Sequence, residues 1–234
     1  MRRQNCSLTA VITALFVSFL APAQLFGQDG LDESLNADSS RISVGLSVGP
    51  RLAAFWGPDA ADLSFYQATE SRQTYSLGIQ AKYRLNQVWS FRTGLHYMQA
   101  GQEYRGISAG NRYALKVQLA YLKFPVLAQY CPLTVKVAGR PVSAYLSVGP
   151  HLSALLSAEE RITRPTGDET NDLRSIMRTV SWGGQAGIGL STTVPIGRVG
   201  IETSYVLGLQ DISTSSLDTK NQGLVFALTF DFNI

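Results

Sequence analysis

From Ile42 almost to the end of the chain, apolar side chains recur at every second position in eight successive runs. A period of two belongs to β-strands, whose side chains alternate between two faces. In the first run Ile42, Val44, Leu46, Val48 and Leu52 share one face, and Ser43, Gly45, Ser47, Gly49 and Arg51 share the other. The second sets Tyr75, Leu77, Ile79, Ala81 and Tyr83 against Ser76, Gly78, Gln80, Lys82 and Arg84. The third sets Trp89, Phe91, Leu95 and Tyr97 against Ser90, Arg92, Gly94 and His96.

The fourth run, from Arg112 to Tyr130, changes the parity of its apolar residues. Leu115, Val117 and Leu119 are odd, whereas Leu122, Phe124, Val126 and Ala128 are even. One extra residue near Ala120-Tyr121, a β-bulge, is the expected cause. The fifth run alternates from Val142 to Ala154, the sixth from Ser181 to Leu190 and the seventh from Val199 to Leu209. The eighth places Leu224, Phe226, Leu228, Phe230 and Phe232 on one face.

Such faces permit two closed folds. A soluble eight-stranded calyx would bury the Leu/Ile/Val faces. A membrane barrel would turn them to lipid, with the glycine-, serine- and charge-bearing faces inward. Connections distinguish the two. Those after the second, fourth and sixth runs (85–88, 131–140 and 194–198) are mostly shorter than those at 57–72, 104–111, 157–176 and 211–221. Short turns at one end and longer loops at the other characterise outer-membrane barrels. This topology places Trp56, Tyr75, Tyr113 and Trp182 at one rim and Tyr83, Trp89, Tyr130 and Phe232 at the other, as two aromatic girdles. A mean hydropathy of +0.03 fits the averaging of two alternating faces and excludes a helical membrane bundle. The expectation is an all-β fold: an eight-stranded antiparallel transmembrane β-barrel of up-and-down topology over residues 40–234. Both termini then face the periplasm.

The first residues carry an address. Arg2 and Arg3 precede an apolar stretch, Ala10 to Leu20, that is too short to span a bilayer, and Ala21-Pro22-Ala23 supplies small residues for cleavage. Residues 1–23 read as a signal peptide cleaved between residues 23 and 28, and residues 24–39 as a polar periplasmic lead-in. Cleavage leaves 18 of the 20 basic residues against 17 acidic ones, which gives no support for a nucleic-acid partner. It also leaves Cys131 as the single cysteine, so neither an intrachain disulfide nor cysteine-bound zinc is expected.

Gly94-Leu95-His96-Tyr97 with Gly101, and Tyr121-Leu122-Lys123-Phe124-Pro125-Val126-Leu127-Ala128, are followed by Val148-Gly149-Pro150 and Tyr205-Val206-Leu207-Gly208-Leu209 with Ile212. In order and spacing these segments resemble the PorT-type outer membrane protein β-barrel family of Bacteroidetes. The resemblance implies an eight-stranded barrel in the outer membrane. It also implies a role without assigned chemistry, of which one type assists secretion of cell-surface proteins.

Few residues carry candidate chemistry. Gly45-Leu46-Ser47-Val48-Gly49 matches a nucleophile elbow, but that motif needs a strand-turn-helix, and here alternation runs straight through it. His151 and Ser153 share a strand face, the spacing of an outer-membrane deacylase whose acid would be Glu159, Glu160 or Glu202. His151 also repeats Arg51: Leu46–Ala54 recurs as Leu146–Ala154 with the Leu-Ser-Val-Gly-Pro run intact. Lys82, Arg84, Arg92, Lys123 and Glu202 fall on the glycine-rich face and predict an interior polar cluster. No cofactor, catalytic or metal site is expected, and a lipid A deacylase or a narrow porin is the alternative to a non-enzymatic binding or scaffold protein. Expected partners are outer-membrane lipids, the outer-membrane assembly machinery and an envelope or secreted protein. The contact would be made through Arg161, Arg164, Asp168 and Arg174 of the most charged loop.

Overall fold

The computed structural model describes residues 41–57, 68–108, 111–164, 167–214 and 218–233. The predicted signal peptide and lead-in lie outside them. Strands β1 (Ile42–Trp56), β2 (Ala68–Arg84), β3 (Trp89–Ser108), β4 (Asn111–Val137) and β5 (Arg140–Arg164) follow in order. They continue with β6 (Gly167–Asp172), β7 (Val180–Val194), β8 (Gly197–Gly208) and β9 (Lys220–Asn233). Every pairing is antiparallel. The sheet runs β4-β3-β2-β1-β9-β8-β7-β5, and β4 pairs with β5 to close it. The fold is a closed eight-stranded antiparallel β-barrel, as the alternation predicts. β6 stands outside the ring and pairs with the far end of β5.

The first residues of β1 pair with the last of β9, Ser43 opposite Asn233, so both lie at one end of the barrel. Three tight turns share that terminal end. Between β2 and β3, the Asn86 side chain accepts from the backbone N–H of Val88 at 3.0 Å and of Trp89 at 2.8 Å, which fixes the reversal. Between β4 and β5 the turn is Ala138-Gly139, with φ of 50° and 77°, the primed geometry that follows strand twist. The predicted connection at 131–140 is therefore mostly strand. The predicted connection at 104–111, at the opposite, loop end, is also mostly strand, since β3 runs to Ser108 and β4 starts at Asn111, and the remaining longer connections lie at that end.

The apolar faces point outward. On β1 the alternation from Ile42 to Leu52 is exposed while Ser47 and Arg51 are buried. Ile188 and Leu228 are each 59% exposed, whereas Arg51 is 0%, Lys123 4% and Glu202 6%. A soluble calyx would reverse that order. The exposed run on β1 matches the roughly 9–11 residues that a tilted strand needs to cross a bilayer. Aromatic pairs edge the band: Trp89 and Tyr130 at 4.8 Å between ring centroids near the terminal end, and Tyr75 and Tyr97 at 5.9 Å near the loop end. The side chain of Tyr113 lies outside the described residues.

Two further expectations are corrected. The parity change in the fourth run is not a bulge in β4, whose register with β3 is unbroken from Trp89↔Tyr130 to Ser108↔Asn111. The register does shift at Ala120/Tyr121 against β5, but the extra residue is Leu156 of β5. From Leu115 to Gln129 the odd positions of β4 stay inward: Leu115, Val117 and Leu119 are buried, and so are Lys123, Leu127 and Gln129, before a register shift at Tyr130/Leu133 turns Leu133 and Val135 outward. What inverts is the chemistry of the two faces, not the strand. Secondly, the segment 157–176 is not a loop. β5 continues to Arg164 and turns back as β6, because backbone beyond the bilayer still gains by pairing although its side chains no longer alternate clearly.

Candidate functional site

Three polar tiers fill the lumen. Nearest the terminal end, Asp231 accepts from Gln80 Nε2 at 2.7 Å and from Lys82 Nζ at 3.1 Å. Next, Arg92 forms a two-pronged pair with Glu202 at 2.6 and 2.7 Å, and Glu202 also accepts from the Tyr145 hydroxyl at 3.0 Å and Ser147 Oγ at 3.4 Å. Such a pair is geometrically specific, and the extra donors offset much of the cost of burying its charges. In the third tier, Lys123 Nζ donates to Gln185 Oε1 at 2.7 Å, and Gln185 Nε2 donates to Ser204 Oγ at 3.2 Å.

Above these tiers the lining becomes apolar. Phe55, Met98, Tyr104, Leu115, Leu119, Tyr121, Leu155 and Ile212 pack into one buried cluster, with Ile162, Leu173 and Met177 against it. Ile212 comes from the β8–β9 connection and is pinned over the mouth. Its N–H donates to the carbonyl of Thr219 at 2.9 Å, and its own carbonyl accepts from the N–H of Arg178 at 2.8 Å. At this level the outer face is polar: Glu103 pairs with Arg105 at 3.0 Å and with Lys116 at 3.7 Å. The loop end is thus built like a water-soluble barrel, oily inside and charged outside.

The sequence places Lys82, Arg84, Arg92, Lys123 and Glu202 in one interior polar cluster. Lys82, Arg92 and Glu202 enter the lumen, Lys82 in the tier of Asp231 and the other two paired in the next, and Arg84 lies half-buried at the terminal rim. Asp231 was absent from it, although its place between Phe230 and Phe232 fixes its face. Arg51 was read on the right face, but nothing in the alternation marks it as the most buried charge of all. It donates to the backbone carbonyls of Gln99 at 2.8 Å and Gln222 at 3.4 Å. His151 and Ser153 both point inward. Neither His151 Nδ1 nor Ser153 Oγ has a hydrogen-bond partner within the protein, and Glu202 is engaged by Arg92, Tyr145 and Ser147.

Arg161, Arg164, Asp168 and Arg174 are all exposed at the loop end. Arg161 and Arg164 stand on β5, Asp168 on β6 and Arg174 in the short 3-10 turn (Arg174–Ile176) that follows. Arg164 pairs with Glu169 at 3.2 Å, and the hairpin presents its charges to water. Beside the mouth, Lys220 pairs with Asp211 at 3.2 Å and also with Asp218, whose carboxyl the Lys220 hydrogen bond holds below its ordinary range. Among the described residues no cluster of His, Cys, Asp and Glu is placed to hold a metal ion.

The sequence profile of the outer membrane protein beta-barrel domain matches residues 26–214. The chain belongs to that family. Solved barrels share the outline at low identity. Ail, the attachment invasion locus protein of Yersinia pestis, is 13% identical over 81% of this chain and 98% of its own, with a TM-score of 0.38. Neisserial surface protein A is 17% identical over 82% and 98%, with a TM-score of 0.43. OprG of Pseudomonas aeruginosa is 12% identical over 83% and 98%, with a TM-score of 0.45. No curated protein sequence matches the chain. The protein is an outer-membrane β-barrel, and its apolar band is the lipid-facing surface.

Proposed function

We propose that this barrel is a non-enzymatic anchor of the PorT type, exported by a signal peptide over residues 1–23. In this reading the termini are periplasmic and the loop end carries the working surface toward an envelope or secreted protein. The observation that carries the reading is the wall made by β3, β4, β5 and β6 beyond the apolar band. It is held rigid by sheet pairing and presents Glu103, Lys116, Arg161 and Arg164 outward. Rigid strands displaying charge suit specific, salt-sensitive contact with a polar partner.

Two rival readings draw on the same residues. A deacylase needs His151 oriented by an acid and open to lipid, whereas His151 is 5% exposed and faces the lumen. A narrow porin needs a continuous path, whereas the Arg92–Glu202 tier and the apolar cap fill it. The experiment places photo-crosslinking side chains at Arg164 and Asp168 in intact cells. Salt-sensitive capture of a discrete protein from both positions, with none from Lys136 at the opposite end, is expected. Capture from Lys136 alone would invert the assignment of the ends. Loss of a lipid A acyl chain that depends on both His151 and Ser153 would replace the anchor with an enzyme.

A further inference from the structure

Between the polar tiers and the apolar cap lies a small cavity. Its lining includes Arg51, His151, Ser153, Ser181, Asn221 and Ile212. Six buried side-chain polar atoms among the described residues have neither a hydrogen-bond nor an ion-pair partner in the protein. Four of them belong to this one cavity's lining: Arg51 Nε, His151 Nδ1, Ser153 Oγ and Asn221 Oδ1. Buried polar atoms are rarely left unpaired, so a cavity lined by four of them is a place for a bound water or ion.

We propose that this cavity is a binding site for a single chloride-sized monovalent anion. The charge census chooses an anion over a cation. Arg51, Lys82, Arg92 and Lys123 enter the lumen, against Glu202 and Asp231, and both acids are hydrogen-bonded elsewhere. Arg51 donates only to backbone carbonyls among its described partners, and Lys123 only to an amide. A cation buried without a counter-charge is costly in a low-dielectric lumen. The donor set fits as well. Arg51 Nε–H and the Ser153 hydroxyl can donate, and His151 donates from Nδ1 in the corresponding tautomer. Asn221 Nδ2 now donates to the Tyr121 hydroxyl at 3.1 Å. A half-turn of the amide lets that hydroxyl donate to Oδ1 instead and frees Nδ2 for the cavity.

Glycines of the neighbouring strands leave room for the Arg51 and His151 side chains. A Cβ on Gly223 would fall 2.5 Å from Arg51 Nε, and one on Gly183 would fall 2.7 Å from His151 Cε1. The sequence repeat has the same focus. Arg51 and His151 are equivalent positions of its two copies, on β1 and β5, which lie four strands apart in a ring of eight and so on opposite walls. Both line the one cavity. The cavity is small, on the scale of a single monatomic species.

The test uses the refolded full-length barrel in detergent, with bromide as the probe. Crystals grown in sodium bromide are expected to show an anomalous peak inside the barrel among Arg51, His151 and Ser153. The temperature at which the folded band is lost on a gel is expected to rise with bromide relative to sodium gluconate at equal ionic strength. Ser153→Ala removes one donor without adding bulk and is expected to weaken the bromide dependence about tenfold. Arg51→Gln is expected to abolish it. If Arg51→Gln does not fold, the Ser153→Ala titration decides alone. Bromide only on the surface, a lumen peak without anomalous signal, or a midpoint equal in bromide and gluconate would overturn the proposal.

Discussion

Leu119 and Lys123 point the same way from β4, into the barrel, and both are buried. Between them the lumen changes from hydrocarbon to charge. The outer face of the same strand changes in the opposite sense, from Lys116 and Gln118 to Leu122, Phe124 and Val126. The medium around the barrel is what switches. Where lipid surrounds it, apolar side chains go outward and polar groups satisfy one another inside. Where water surrounds it, ordinary hydrophobic burial returns.

That switch makes the cost of an outward charge depend on height. Val126→Arg, within the band, is expected to destabilise the barrel by about 2–4 kcal/mol, and Gln118→Arg by about 0–1 kcal/mol. Urea unfolding of the refolded protein in lipid vesicles measures both. Equal costs would mean that the lipid boundary does not fall between these residues.

The Arg92–Glu202 pair is expected to matter more when broken than when removed whole. Glu202→Gln leaves a buried guanidinium without its counter-charge, a loss of about 3–5 kcal/mol. Replacing both residues by methionine is expected to recover part of that loss, because no unpaired charge remains. Tyr145 and Ser147 lose their acceptor in the double variant, so recovery is incomplete. The same unfolding assay gives the comparison.

Glycines differ in what they permit with the face they occupy, Gly149 on the inner face and Gly184 on the outer one. A Cβ on Gly149 would run into the carbonyl oxygen of Val126 and sit 3.0 Å from Leu127 Cα, both backbone atoms of the neighbouring strand. Gly184 has nothing within 4 Å of such a Cβ. Gly149→Ala is expected to cost about 1–3 kcal/mol, whereas Gly184→Ala is expected to fold like the parent. Folding yield and gel mobility before heating read out the difference.

The strands, the closure and the outward apolar faces were legible in the sequence because the bilayer enforces alternation on every strand that crosses it. Ile42 to Leu52 and Trp89 to Tyr97 could be assigned face by face. Legibility stopped where lipid stops. Beyond the band the interior turns apolar, and Leu115, Val117 and Leu119 then mimic a bulge. Past Ser157 the outward residues Glu159 and Arg161 mark no core, so the β5–β6 hairpin read as loop. The lumen was half legible. Parity gives the face of Lys82 or Asp231, but it cannot tell which of several inward charges will be partners, since that depends on strands more than a hundred residues apart. The cavity at Arg51 and His151 was signalled only by the repeat, and only closure brings its two copies to one place.

The last expectation concerns conduction, which an interior rich in polar groups invites. Eight strands leave a lumen that side chains can fill, and here they fill it twice over. The lower obstruction is the Arg92–Glu202 tier with Tyr145. The upper is the apolar cluster capped by Ile212. A water column would have to part both, and an apolar constriction resists wetting even when it is not closed. The refolded protein in a planar bilayer is therefore expected to give no steady ohmic steps in molar potassium chloride. Arg92→Ala with Glu202→Ala removes the lower block alone and is expected to stay silent, because the cap remains. Adding Ile212→Ser and Leu119→Ser to that pair wets the upper region, and small steps are expected from this fourfold variant. Steady conductance from the unaltered barrel would show that the two plugs move together on the timescale of ion passage, and the narrow-porin reading would then stand in place of the anchor.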